Sequence, residues 1–208
     1  MKAFIFDLDG VLVFTDKYHY QGWKMIADKM GIYFDEMINN RLRGVSRMDS
    51  LDIILEKYEG ELSQKQKEDL ANEKNDYYRK LLGNMKPQDV SSEVRDTLFE
   101  LRKRGFKLAI GSSSKNTKFI LEKTDLMDCF DAVSDGTNIT RSKPDPEVFI
   151  KAAEFLNVIP CECYVVEDAY SGIDAAKAGG MVAIGIGEAS GYAKTDYPIK
   201  CFKDILDI

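Results

Sequence analysis

Asp7 and Asp9 stand two residues apart where the apolar run Ala3-Phe4-Ile5-Phe6 stops, and Gly10-Val11 follow. An apolar run of this kind predicts a buried strand of an α/β sheet, and such sheets place their chemistry at the carboxyl ends of their strands. Alternation sends Asp7 and Asp9 to one side with Leu8 opposite. Two carboxylates that close repel unless something separates their charges, and a divalent cation does so. On its own, Asp-x-Asp-Gly also reads as plain turn chemistry, because Asp and Gly are ordinary turn residues.

Three more segments repeat the theme. Cys163-Tyr164-Val165-Val166 is a second apolar strand ending in Glu167-Asp168, and the helix after it closes on Gly179. Lys107–Gly111 ends in Ser112-Ser113-Ser114-Lys115-Asn116, hydroxyls and amides that open a helix through Phe119, Ile120 and Leu121. Helix N-termini bind anions. Ser142-Lys143-Pro144-Asp145-Pro146-Glu147 places a lysine just before a helix, with Asp145 as its N-cap and Pro146 in its first turn. Each piece alone is explained by caps, turns and a solvated lysine. Four of them on successive strand ends point to one site.

In order, Asp7-Leu8-Asp9-Gly10-Val11, Ser112, Lys143 and Glu167-Asp168 resemble the four motifs of the haloacid dehalogenase superfamily of phosphoryl-transfer enzymes, over essentially the whole chain. The resemblance implies a Rossmann-like doubly wound parallel sheet with the first strand central, so that Asp7, Ser112 and Asp168 converge at one edge. It also implies that Asp7 attacks phosphorus to form an aspartyl phosphate. The cofactor it implies is Mg²⁺, held by Asp7, the main-chain oxygen of Asp9 and Asp168, with Glu167 as a further ligand or a group just behind. Ser112 and Lys143 hold the equatorial oxygens. Asp9 is the general acid and base, and its presence separates the phosphotransferases of the superfamily from the dehalogenases.

The elements that must position these groups follow from where the strands are. After Val13 no strand is expected until Lys107, and the stretch between reads as helices over 16–30, 35–42, 46–58 and 63–82, with Ser46 and Ser63 opening capping boxes and the second closer to rule. From Lys86 onward helix and strand alternate: a helix at 93–104, then strands at 107–111, 132–134, 164–166 and 182–185. The expected organisation is an α/β core over 1–13 and 85–208, with a helical insert at 14–84. By resemblance that insert is a cap domain.

The cap carries the more specific likeness. Thr15, His19 and Trp23 recur at four-residue spacing on one helix face, Arg47 stands in a first turn behind Gly44-Val45-Ser46, and Lys74-Asn75 adds a cation and an amide. A buried stripe or solvated helix charges would give the same spacing. Together they resemble the β-phosphoglucomutase family. There the Gly-Val-Ser-Arg turn grips the phosphate that is not being transferred, which maps onto Gly44, Val45, Ser46 and Arg47. His19, Lys74 and Asn75 map onto groups that contact the sugar or steer its hydroxyl, Ser114, Lys115 and Asn116 onto the distal phosphate, and Thr15 onto the hinge, with Trp23 a further substrate-binding position. Two positions depart from the pattern: Phe14 replaces a common Asp before the hinge Thr15, and Ser113 a common Ala.

A mutase that turns a bisphosphate around needs two phosphate sites, whereas a phosphatase needs one. The expected reaction is therefore interconversion of β-glucose 1-phosphate and glucose 6-phosphate through glucose 1,6-bisphosphate. The alternatives are a Mg²⁺-dependent phosphatase of a sugar phosphate, phosphoglycolate or pyrophosphate, and a binding protein that kept the fold; the intact Asp7, Asp9, Ser112, Lys143 and Asp168 argue against the last. The chain has 208 residues and a net charge of −6, which suits a small phosphorylated substrate and not nucleic acid. Cys129, Cys161, Cys163 and Cys201 lack Cys-x-x-Cys spacing and read as reduced thiols. No apolar run approaches a membrane span. The expected protein is a cytoplasmic monomer.

Overall fold

The structure, a computed structural model, describes residues 2–42 and 46–208, so Gly44 and Val45 lie outside the described residues. Two compact units divide the chain: one joins the first fourteen residues to Met85–Ile208, and the other is Thr15–Asn84.

In the first unit the strands are β1 (Ala3–Phe6), β2 (Lys107–Gly111), β3 (Ala132–Ser134), β4 (Cys163–Glu167), β5 (Val182–Gly185) and β6 (Tyr197–Pro198). They form one parallel sheet in the order β3-β2-β1-β4-β5-β6. This is the doubly wound order, in which the chain reverses direction across the sheet at β1 and β4 and leaves a crevice at their carboxyl ends. The apolar run of β1 is buried on both faces. Ala3 and Ile5 join Ala109, Val165 and Ala183 in a core with Val148, Phe149 and Ala152. On the other face Phe4 stacks on Tyr164 with ring centroids 5.0 Å apart and meets Phe106 edge-on, while Phe6 packs against Phe130 and Phe202.

The Thr15–Asn84 unit holds α1 (Asp16–Lys29), α2 (Glu36–Asn40), α3 (Arg47–Leu55) and α4 (Gln64–Leu82). Trp23, Ile26 and Ala27 of α1 pack with Leu51 and Ile54 of α3 and with Leu70 and Ala71 of α4. Ser63 makes a reciprocal capping box with Gln66. Ser46 caps α3 from one side only, accepting from the Asp49 N–H at 3.2 Å. The remaining helices belong to the first unit: α5 (Ser92–Lys103), α6 (Thr117–Lys123), α7 (Glu147–Leu156) and α8 (Tyr170–Ala178). α8 ends at Gly179, with Gly180 in the left-handed conformation beyond it (φ +71°).

Three expectations need correction. The helices expected over 35–42 and 46–58 are shorter, Glu36–Asn40 and Arg47–Leu55. α7 starts after Pro146, so Asp145 stands one residue outside the N-cap, although its side chain still accepts the Glu147 N–H at 3.0 Å. Last, β1 stops at Phe6 and leaves Asp7 and Asp9 in the turn beyond it.

Candidate active site

The carboxyl ends of β1, β2 and β4 meet because Phe6 pairs with both Ile110 and Val166. The Asp7 N–H continues the ladder by donating to the Val166 carbonyl at 3.0 Å, which fixes where the Asp7 side chain starts. The Lys143 ammonium pairs with Asp7 and, at 2.6 Å, with Glu167. Its side chain is only 9% exposed and lies over the Phe149 ring at 4.7 Å.

Asp7, Glu167 and Asp168 each offer a carboxylate oxygen within 4.8 Å of the others. The site is overloaded with negative charge. Burial, and then the neighbouring carboxylates Glu167 and Asp168, push Asp7 well above the usual carboxylate range in spite of Lys143. Burial and then Glu167 push Asp168 up to about 7. The Lys143 ammonium is held protonated, because Asp7 and Glu167 outweigh its burial. A hard divalent cation suits such an all-oxygen, anionic donor set. The backbone leaves room for it: Gly10 has φ +88°, and a Cβ there would stand 2.0 Å from Asp168 Oδ2.

Glu167 has both oxygens engaged. Oε1 holds Lys143, and Oε2 accepts from the Asp168 and Ala169 N–H groups at 3.0 and 3.1 Å. Gly172 of α8 allows this, since a Cβ there would fall 1.9 Å from the Glu167 carboxyl carbon. Of the expected metal ligands, Glu167 is thus occupied at both oxygens, while Asp7 shares one oxygen, Oδ1, with Lys143. Asp9 contributes no carboxylate to the cluster and is bridged through its backbone to Val13.

Beyond β2, the buried Ser112 hydroxyl accepts from the Ser114 N–H and the Ser114 hydroxyl accepts from the Asn116 N–H, each at 3.2 Å. Asn116 is buried and Lys115 exposed.

The Thr15–Asn84 unit has a polar cluster of its own. The Lys74 ammonium lies 3.0 Å from His19 Nδ1 and over the rings of Trp23 (4.8 Å) and Tyr78 (4.5 Å). An ammonium only donates, so Nδ1 accepts and the neutral imidazole carries its proton on Nε2. Burial, with Lys74 and Arg47 nearby, holds His19 well below its ordinary value of 6.5. Arg47 donates to Asn75 Oδ1 at 2.9 Å. Thr15 sits at the N-cap of α1 and receives the Tyr78 hydroxyl at 3.3 Å. Tyr78 carries no role in the sequence reading, yet it touches Thr15, His19 and Lys74. Its place four residues after Lys74 on α4 was the available signal.

A central β1 with an aspartate just beyond its end, and a lysine and an acidic pair brought to it from later in the chain, make an α/β site whose anionic, all-oxygen donor set suits a divalent cation. The chain belongs to the haloacid dehalogenase-like hydrolase family, whose model matches residues 1–180. It is 38% identical over 207 residues to the β-phosphoglucomutase of Bacillus subtilis (strain 168), covering 99% of this chain and 92% of that one. It is 32% identical over 187 residues to a phosphorylated carbohydrates phosphatase of Thermotoga maritima, covering 88% and 84% of the two chains. The crystal structure of the β-phosphoglucomutase from Clostridium difficile superposes with a TM-score of 0.90 at 36% identity, covering 99% and 93%. The chain is accordingly a phosphotransferase-type enzyme of this superfamily, akin to the phosphoglucomutases.

Proposed function

We propose that the enzyme interconverts β-glucose 1-phosphate and glucose 6-phosphate through β-glucose 1,6-bisphosphate, as a cytoplasmic monomer that uses Mg²⁺. The observation that carries this reading is the second set of anion- and hydroxyl-binding groups in the Thr15–Asn84 unit, namely Arg47 with Asn75 and Lys74 with His19. A hydrolase of small esters gains little from such a set, whereas a bisphosphate must be held by one phosphate while the other transfers. The name of the Bacillus subtilis relative agrees. Four free thiols agree with a reducing compartment, and among the described residues no helix is long and apolar enough to cross a membrane.

In this reading an Asp7 carboxylate oxygen attacks the phosphorus in line, forming the acyl phosphate as the bond between phosphorus and the sugar oxygen breaks. Asp7, Asp168 and the Asp9 main-chain oxygen would hold Mg²⁺, which would supply neutralisation of the charge on the transferring group. Lys143 and Ser112 hold the equatorial oxygens as charge spreads over them. Asp9 takes the proton from the incoming sugar hydroxyl and returns one to the departing hydroxyl. Neutral His19 offers an Nε2–H to a sugar oxygen.

The second reading, a sugar-phosphate phosphatase, is favoured by the Thermotoga maritima relative. One assay separates them: with Mg²⁺, β-glucose 1-phosphate and a trace of glucose 1,6-bisphosphate, glucose 6-phosphate and free phosphate are followed together. Isomerisation well above phosphate release is expected. Phosphate release alone would overturn the mutase reading in favour of the second.

A further inference from the structure

The loop that carries Lys143 is tied down by the first turn of α7. The Glu147 carboxylate accepts from the Thr140 N–H (3.0 and 3.1 Å to its two oxygens), from the Thr140 hydroxyl (2.9 Å) and from the Arg141 N–H (2.8 Å). Lys151, one turn further along α7, reaches it at 3.1 Å. The far end of the loop closes on the same residue, since the Glu147 N–H donates to Asp145 Oδ1 at 3.0 Å and the Asp145 N–H donates to the Ser142 carbonyl at 3.1 Å. Hydrogen bonds to Glu147 and Asp145 therefore close the 140–147 segment on both sides of Lys143.

A lysine is a compact charge on a flexible stem. What it does for a phosphoryl group depends on where the stem is rooted, because small misplacements of a charge in a catalytic site are costly. From this root the Lys143 ammonium reaches Asp7 and Glu167, with the Phe149 ring, also from the start of α7, beneath it.

We propose that Glu147 is the positioning residue of Lys143: its carboxylate closes the 140–147 loop and so delivers the ammonium to the Asp7–Glu167 site. This rests on the phosphoryl-transfer reading for its catalytic consequence only. The Glu147 side chain is just 12% exposed. Burial pushes its carboxyl up, but the Arg141 N–H, Thr140 and Lys151 outweigh that and hold it down at about 2, so the clamp carries its charge throughout the working range. Nothing in Glu147 itself need touch substrate.

The test compares the wild-type chain with Glu147→Gln and Glu147→Asp by three readouts. Gln keeps the size but turns one acceptor oxygen into a donor that faces N–H groups, and Asp keeps the charge but withdraws it by one methylene. Hydrogen exchange followed by mass spectrometry should show faster exchange at Thr140 and Arg141, with the sheet amides unchanged. Acetylation by acetic anhydride, with acetate leaving, mapped by peptide, should reach Lys143 on the order of tenfold faster in Glu147→Gln, with Glu147→Asp in between. With acetyl phosphate as donor, kcat should fall by about the same order while the concentration of Mg²⁺ needed for half-activity hardly moves. A merely structural role would raise exchange throughout α7 and leave Lys143 no more reactive than its neighbours. If Glu147→Gln does not fold, Glu147→Asp carries the same readouts. Unchanged exchange at Arg141 and unchanged Lys143 labelling in a folded variant overturn the proposal, whatever happens to turnover. Exchange and labelling need no substrate, so a failed mutase assay leaves this test intact.

Discussion

Asp7 and Asp9 are the same residue in different surroundings. Asp7 is 8% exposed, fixed by its own N–H and paired with Lys143, while Asp9 is half-buried in the turn and outside the carboxylate cluster. The proposed roles follow from that contrast. Asp7→Asn is nearly isosteric and should leave the circular dichroism spectrum unchanged while abolishing both phosphoenzyme and turnover; appreciable turnover would remove Asp7 as nucleophile. Asp9→Asn should still bind metal and bisphosphate yet transfer ~10² to 10⁴ times more slowly, the usual contribution of general acid–base catalysis. A loss under about tenfold would count against the proton-handling role. At this scale the acidic residues were legible because they interrupt apolar strands. The partners of Glu167 were not: its contacts with Lys143 and with two backbone N–H groups depend on the close approach of β4 and α8 that Gly172 permits.

At the scale of elements, legibility tracks burial. β1, β2 and β4 were readable because both faces of a central parallel strand are apolar, and α4 because Ser63 and Gln66 satisfy two backbone donors reciprocally. β6 was missed, being two residues with exposed side chains and no pattern to read. Tyr78 was missed because its partners lie on α1 and at Thr15, which only packing brings to α4. That same packing makes a stability prediction. His19 is neutral in the folded state, its affinity for protons lowered by burial, Lys74 and Arg47, whereas in the unfolded chain it has its ordinary value of 6.5. Between those two values the unfolded chain binds more protons, so stability is complete above about 6.5 and is lost as pH falls, by up to ~1.4 kcal/mol per pH unit. Urea denaturation at pH 7.5 and 5.5 should show a smaller acid loss for His19→Gln than for wild type, and equal losses would mean that His19 is not held neutral. His19 is the chain's sole histidine, so its ring protons report the titration directly by NMR.

At the scale of the whole molecule, the two units carry different kinds of information. In the proposed reading the Asp7 site sets a reaction type common to mutases and phosphatases. In that reading, what tells one from the other is the polar cluster of the Thr15–Asn84 unit, and Arg47 is its test. If Arg47 binds the phosphate that is not being transferred, Arg47→Ala should weaken turnover of hexose phosphates far more than hydrolysis of acetyl phosphate, which has no second anion to hold. Charge-assisted hydrogen bonds are worth ~1.5 to 3 kcal/mol, so the expected difference is roughly ten- to a hundredfold. Arg47 also donates to Asn75, so the variant loses a contact between α3 and α4. That loss is read separately, as a shift in thermal midpoint without substrate, and it should affect both substrates alike. Equal losses of turnover on hexose phosphate and acetyl phosphate would reduce Arg47 to that structural contact and withdraw the main support for a mutase over a phosphatase.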